Sequence, residues 1–385
     1  MPACSRDSVA RRGAVIARLP TRVWSSPAIL SAMSKMLAEI RQQPEALERT
    51  LRAGIRPIER FRRRLERQRP RQVLLAARGT SDNAAQFGRY LLEITTGIPT
   101  ALAAPSIFSL YRAQVNLKDV LVVGISQSGE STDANLVIER AREQGAVTVG
   151  ITNEARSTMA QLAQHVFLVR AGKERSVAAT KTYTGQLLIL YLLAYALGAA
   201  LRLEDLERLP QWTRDALELE PDIAACAERY RFMHETVVIG RGLNYANAFE
   251  FSLKLMETCY VVAERFSAAD LLHGPIAMVE FSFPLFLFAP GGVTWPSIRQ
   301  VLEKLRQLKA ETLIFTDLGN TEALRYATRS VVVPGRLGRL RTLPEELYTP
   351  IPYIVPAQLF AACLALQKGL DPDRPRTLSK VTRTL

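Results

Sequence analysis

The chain has 385 residues, 48% apolar and 23% charged, which is enough for two or three domains and a substantial core. With 21 glycines and 21 prolines it is neither collagen-like nor broadly disordered, and its four dispersed cysteines and three separated histidines fit neither a disulfide scaffold nor a metal motif. The formal net charge of +13 draws on arginines in the first 22 residues and between Arg52 and Arg71; it reads as a basic tail and a solvated helix face, with no nucleic-acid or membrane partner expected.

Residues 1–25 carry Arg11, Arg12, Arg18 and Arg22 around a short apolar patch with no sustained hydrophobic region. They read as a disordered tail rather than a signal peptide. Residues 26–70 read as N-terminal helices, broken near Pro44. Their apolar faces need cover from beyond the first sheet. From Gln72 the chain repeats itself. QVLLAARGTSDNAAQFGRYLLE from Gln72 matches TVVIGRGLNYANAFEFSLKLME from Thr236, with Arg78 and Arg241 163 positions apart. VLVVGISQSGE from Val120 pairs with PLFLFAPGG from Pro284, and AVTVGITN from Ala146 with ETLIFTDL from Glu311. VFLVRAG from Val166 pairs with VVVPGRL from Val331, and Tyr183 with Tyr348, both at an offset of 165. Five features in one order at a nearly constant offset imply a tandem duplication of a whole domain. The expected units are 71–215 and 216–375, followed by a tail over 376–385.

Within each copy, short β-branched runs alternate with helical patterns. That alternation predicts an α/β fold, a mainly parallel open sheet flanked by helices. The apolar stretch Leu187–Leu201 is short for a membrane span and reads as a core helix. A reducing, cytoplasmic location is the default for such a chain.

Ser126-Gln127-Ser128-Gly129-Glu130-Ser131 follows the strand VLVVGI and opens a helix. Hydroxyls and free amides at a helix N-terminus suit a dianionic phosphate, and Ser81 after the neighbouring strand could add a hydroxyl. The alternative is simple N-capping by Ser128 or Ser131. The second copy has Ala289-Pro290-Gly291-Gly292 at this place, with no hydroxyl and one amide removed. Only the first copy should bind the anion. In the second, Glu250, Lys254 and Glu257 share one helix face by spacing, as either a surface ion-pair ladder or a polar site, with the ladder favoured. His273 lies in a loop before Gly274-Pro275 and could act as a near-neutral proton shuttle. His165 and His234 sit beside apolar strands and read as structural.

GTSDNA, SQSGESTDANL, ERSVAATKTYTGQL, EFSLKLMETCYVVAERFSAADLLHGPIA and PRTLSKVTRTL together resemble the double sugar-isomerase (SIS) family from about Ser31 onward. More narrowly, they resemble the isomerase half of glutamine–fructose-6-phosphate aminotransferase and free-standing glucosamine-6-phosphate deaminases. The resemblance implies two tandem flavodoxin-like SIS domains. It implies that Ser81, Ser126, Gln127, Ser128 and Ser131 bind a sugar phosphate, with Glu174 and Val177 walling the pocket. Glu257 would move a proton between C1 and C2, His273 would open the sugar ring from a neighbouring subunit of a homodimer, and Lys380 would form an imine with the open-chain ketose. Lys254 and Glu250 would support the site. No metal or organic cofactor is implied.

The aminotransferase reaction needs a glutaminase domain with a cysteine just after the initiator Met. Here Pro2 follows Met1, Cys4 lies in the basic tail, and no such domain fits before Gln72. The expectation is therefore isomerising deamination of a 6-phosphorylated amino sugar, with glucosamine 6-phosphate giving fructose 6-phosphate and ammonia. Aldose–ketose isomerisation, deglycation of a glycated amine 6-phosphate, a sugar-phosphate sensor and a non-catalytic regulatory subunit are the alternatives.

Overall fold

The structure, a computed structural model, describes residues 34–335 and 343–380. The expected basic tail and its arginines lie outside the described residues. Among the described residues, ten strands form two five-stranded sheets. The first holds β1 (Gln72–Ala76), β2 (Thr100–Leu102), β3 (Val120–Ser126), β4 (Val147–Thr152) and β5 (His165–Leu168). The second holds β6 (Glu235–Gly240), β7 (Val262–Ser267), β8 (Pro284–Phe288), β9 (Glu311–Asp317) and β10 (Arg329–Val333). Their orders are β2-β1-β3-β4-β5 and, reading the same way, β7-β6-β8-β9-β10, with every paired strand parallel. The duplication read from residue offsets is thus a duplication of topology. β3 is buried at all seven positions, as a central parallel strand with helices on both faces must be.

Two helices buried on every side join the copies. Lys181–Ala196 and its repeat equivalent Pro350–Gln367 have no polar face, so neither can sit at a surface. Pro350–Gln367 is long and apolar enough to cross a membrane by length and composition, but 94% of it is buried inside the fold. Their side chains merge with the inner faces of both sheets into one core, where Tyr191 of one helix stacks on Tyr348, just before the other, at 5.9 Å. The outer face of each sheet keeps a smaller core of its own.

The N-terminal helices run over Lys35–Arg41 and Gln43–Leu65, with Pro44 in the first turn of the second, where a missing N–H costs nothing. Their cover comes from both copies. Gln43–Leu65 packs on Lys181–Ala196 and on Leu209–Leu217, and Lys35–Arg41 packs on Pro350–Gln367. Arg52, Arg56, Arg60, Arg63 and Arg67 lie on the exposed face, as the charge pattern predicts.

Candidate active site

β1 and β3 are neighbours at the point where strand order reverses, so the turns leaving their C-termini open a crevice between them. A cavity of about 400 Å³ lies there. Ser81, Ser126, Gln127, Ser128 and Ser131 line it together with Val177, Glu257 and Lys380. Five stretches separated in sequence therefore meet at one place.

The serine turn is built tightly. The Ser126 hydroxyl accepts from the Gly129 amide at 3.1 Å, and the Ser128 hydroxyl accepts from the Glu130 amide at 3.2 Å. Gly129 has φ +68°, and a Cβ there would stand 2.1 Å from Ser157 Oγ, so only glycine fits. Ser131 is the N-cap of the helix Thr132–Glu143 but makes no side-chain capping bond, which leaves the capping reading of this motif without support there. Arg78 pairs with the buried Asp133 at 2.7 Å, fixing the β1 turn to the first turn of that helix. The Ser81 hydroxyl accepts from Gln186 Nε2 at 2.9 Å.

The Glu250–Lys254–Glu257 row is not the surface ladder that spacing favoured. Glu250 and Lys254 are fully buried, while Glu257 is 22% exposed. The reason is tertiary. Helix Tyr245–Lys254 packs against its repeat equivalent, Thr80–Thr96, across the junction of the copies. Glu250 accepts from Asn83 Nδ2 at 2.7 Å and Thr80 Oγ1 at 3.3 Å, and pairs with Lys254 at 3.4 Å. Lys254 also donates to Thr80 Oγ1 at 3.2 Å and meets Glu257 at 2.5 Å. Burial pushes the Glu250 carboxyl up to about 7, despite Lys254 beside it. Burial pulls the Lys254 amine down, but the two carboxylates outweigh it and hold it above its ordinary value. After Lys254 the helix widens into a π turn, Leu255–Cys259, closed by a bond from the Tyr260 amide to the Leu255 carbonyl. Such turns insert one residue into a helix and re-aim the side chains beyond.

Lys380 reaches the cavity from the C-terminal segment and donates to Glu174 Oε2 at 2.9 Å. Glu174 does not line the cavity, so its expected place in the wall is corrected to a place behind it; Val177 does line it. The Glu174 side chain is fully buried and also accepts from the Thr180 and Thr182 amides and the Thr182 hydroxyl. Burial alone would raise Glu174; Lys380 and those donors hold it below its ordinary value. Lys254 and Glu250 lie beneath the cavity rather than on its surface. His273 is exposed and is not among the cavity-lining residues. Sequence reading missed Arg78, Thr80 and Asn83, although the GTSDNA motif contains two of them and the repeated Arg-Gly turn contains the third.

At the equivalent place in the second copy a carboxylate of the chain fills the turn. Glu346 is buried and accepts from the Thr294 amide at 3.4 Å and from the Thr294 hydroxyl. Gly292 has φ +139°, and a Cβ on it would collide with Glu346 Oε2 at 2.2 Å.

Parallel doubly wound sheets with a polar crevice at one switch point define a class of ligand-binding α/β proteins. The SIS domain profile matches residues 67–196 and 233–338, and the chain belongs to the SIS domain family. It is 34% identical over 351 residues to the glutamine–fructose-6-phosphate aminotransferase (isomerizing) of Pyrococcus horikoshii, an alignment covering 90% of this chain and 57% of that one. The chain thus spans little more than half the length of that relative. Among solved structures, the C-terminal domain of glucosamine-fructose-6-phosphate aminotransferase from Francisella tularensis superposes with a TM-score of 0.80 at 26% identity, over 91% of this chain and all of that one. A glucosamine-6-phosphate deaminase from Thermotoga maritima has a TM-score of 0.72 at 22% identity, over 91% of this chain and all of that one; that likeness concerns the fold.

Proposed function

We propose that the chain catalyses isomerising deamination of a 6-phosphorylated amino sugar, converting glucosamine 6-phosphate and water to fructose 6-phosphate and ammonia. The observation that carries this reading is the convergence of five polar residues of the first copy with Glu257 and Lys380 around one cavity. Its volume of about 400 Å³ lies in the range of small-ligand sites. The likeness to an isomerizing aminotransferase supports the sugar-phosphate half of that chemistry.

In this reading Ser81, Ser126, Gln127, Ser128 and Ser131 hold the phosphate through neutral donors. Glu257 takes the C2 proton of the open-chain aldose and returns it to C1, leaving an imine at C2. A largely buried carboxylate that still opens on the cavity and is salt-bridged by Lys254 can serve as base and then acid. Lys380 displaces ammonia from C2, and water hydrolyses the new imine to the ketone. A lysine is a nucleophile only when uncharged, so Lys380 must first yield a proton or leave Glu174. His273, exposed and outside this cavity, opens the ring in the site of the neighbouring subunit of a homodimer.

The test is ammonia release from glucosamine 6-phosphate with fructose 6-phosphate assayed in parallel. Equimolar products, lost in Glu257→Gln, are expected. Tight binding of the sugar phosphate without ammonia would overturn the deamination reading in favour of plain isomerisation or sensing.

A further inference from the structure

Lys380 sits on a segment without regular secondary structure, 13 positions beyond the end of helix Pro350–Gln367. A free tail of that length would spread its terminal amine over many positions, and holding it at one costs conformational entropy. What shortens the free length lies outside both profile-matched regions. Asp373 accepts from the Lys35 amide at 2.7 Å and the Met36 amide at 2.8 Å. Ser34 supplies acceptors for the next two amides, Leu37 through its hydroxyl and Ala38 through its carbonyl. The open donors of Lys35, Met36 and Leu37 at the start of helix Lys35–Arg41 are thereby satisfied, two of them from the far end of the chain.

The same helix also grips the loop that receives Lys380. Glu39, buried near its last turn, accepts from the Arg175 amide at 2.5 Å and the Ser176 amide at 3.1 Å. Glu174, immediately before them, binds Lys380. Lys181 closes the opposite side of the loop through the Lys173 carbonyl at 2.8 Å and Gln42 at 2.8 Å. Further along the tail, the Arg376 amide donates to Tyr260 Oη at 2.8 Å, and its guanidinium lies 4.5 Å from that ring. Tyr260 ends the π turn that carries Glu257.

We infer that Glu39 and Asp373, which tie the loop and the tail to one short helix, are the positioning residues that bring Lys380 to Glu174. Helix Lys35–Arg41 is a clamp. One end fixes the tail that carries the amine, and the other fixes the loop that carries its partner. The proposed deamination enters only by giving Lys380 a chemical role; the clamp itself is a matter of geometry.

The experiment uses the full chain without substrate. Limiting acetic anhydride acylates accessible amines, and peptide mass spectrometry reads Lys380 against Lys309, an exposed lysine in the second copy. In the wild type Lys380 should react several-fold more slowly than Lys309. Glu39→Gln replaces one of the two accepting oxygens by an N–H₂ that faces a backbone donor, and should loosen the loop. Asp373→Ala removes both acceptors at a half-buried site and is the variant less exposed to misfolding. Each should raise Lys380 acylation about three- to tenfold, with Lys309 unchanged and the folded fraction intact. If folded Asp373→Ala leaves Lys380 at its wild-type rate, the clamp is overturned. In parallel, the clamp expects kcat for ammonia release to fall with KM little changed, because the serine turn is untouched. A wild-type kcat in a variant whose Lys380 has become reactive would remove the catalytic consequence. A wild type with no deaminase activity would sink the functional reading, while the acylation result would still decide the clamp.

Discussion

The two copies share a topology and differ at the same turn. After β3 the chain presents Ser126, Ser128 and Ser131 around an open cavity; after β8 it presents Pro290-Gly291-Gly292, and Glu346 fills the turn. A carboxylate accepting from the Thr294 amide and hydroxyl meets the requirement an external anion would meet. Duplication therefore left one turn for a ligand and one satisfied from within, and freed the second copy to contribute Glu257 to the first copy's cavity.

The sharpest way to break that asymmetry is to remove what the second copy lends. Glu257→Gln should lower turnover by about 10³-fold while sugar-phosphate binding stays within a few-fold, measured by coupled ammonia assay and calorimetry. Equal loss of binding and rate would make Glu257 a binding residue. Writing the second turn into the first, Ala-Pro-Gly-Gly in place of Ser126–Gly129, should weaken sugar-phosphate binding by about 10²-fold, by loss of several hydrogen bonds to a charged group. The single change Ser128→Ala should cost about tenfold in KM, whereas Thr294→Ala in the second copy should leave KM unchanged.

A pH series sharpens the comparison through Glu250. Its folded carboxyl titrates at about 7, above the ordinary 4.5, so burial carries no electrostatic cost below about pH 4.5 and a growing one as pH rises to 7. Between pH 5 and 8 the stability of Glu250→Gln relative to the wild type should improve by roughly 1–3 kcal/mol, read from urea unfolding. A flat difference would mean that Glu250 is charged throughout, held by Lys254. The smallest effect belongs to the filled turn. Glu346→Ala should lower stability by about 1–2 kcal/mol without touching KM, since it strips acceptors from Thr294.

Much of this was legible in the residues. Offsets of 163–165 anticipated two sheets of one topology, and the hydroxyls after VLVVGI marked the cavity. Spacing misjudged the Glu250–Lys254–Glu257 row because periodicity reports which residues share a face, not what covers it. The cover is Thr80 and Asn83, some 170 positions away. Glu346 was invisible for the same reason, lying 52 positions from Thr294 in a stretch with no motif. Glu174 was placed one layer too far forward, since a resemblance transfers residues without their depth.

The π turn after Lys254 makes the site sensitive to chain length more than to side-chain identity. Each helical residue turns the next by about 100° and advances it about 1.5 Å. Deleting Met256 would restore regular winding and carry Glu257 away from Lys254 and out of the cavity, whereas replacing Met256 with another apolar residue would leave the aim intact. Substitution scanning would pass over this position, and variation in the number of residues between Lys254 and Tyr260 would expose it.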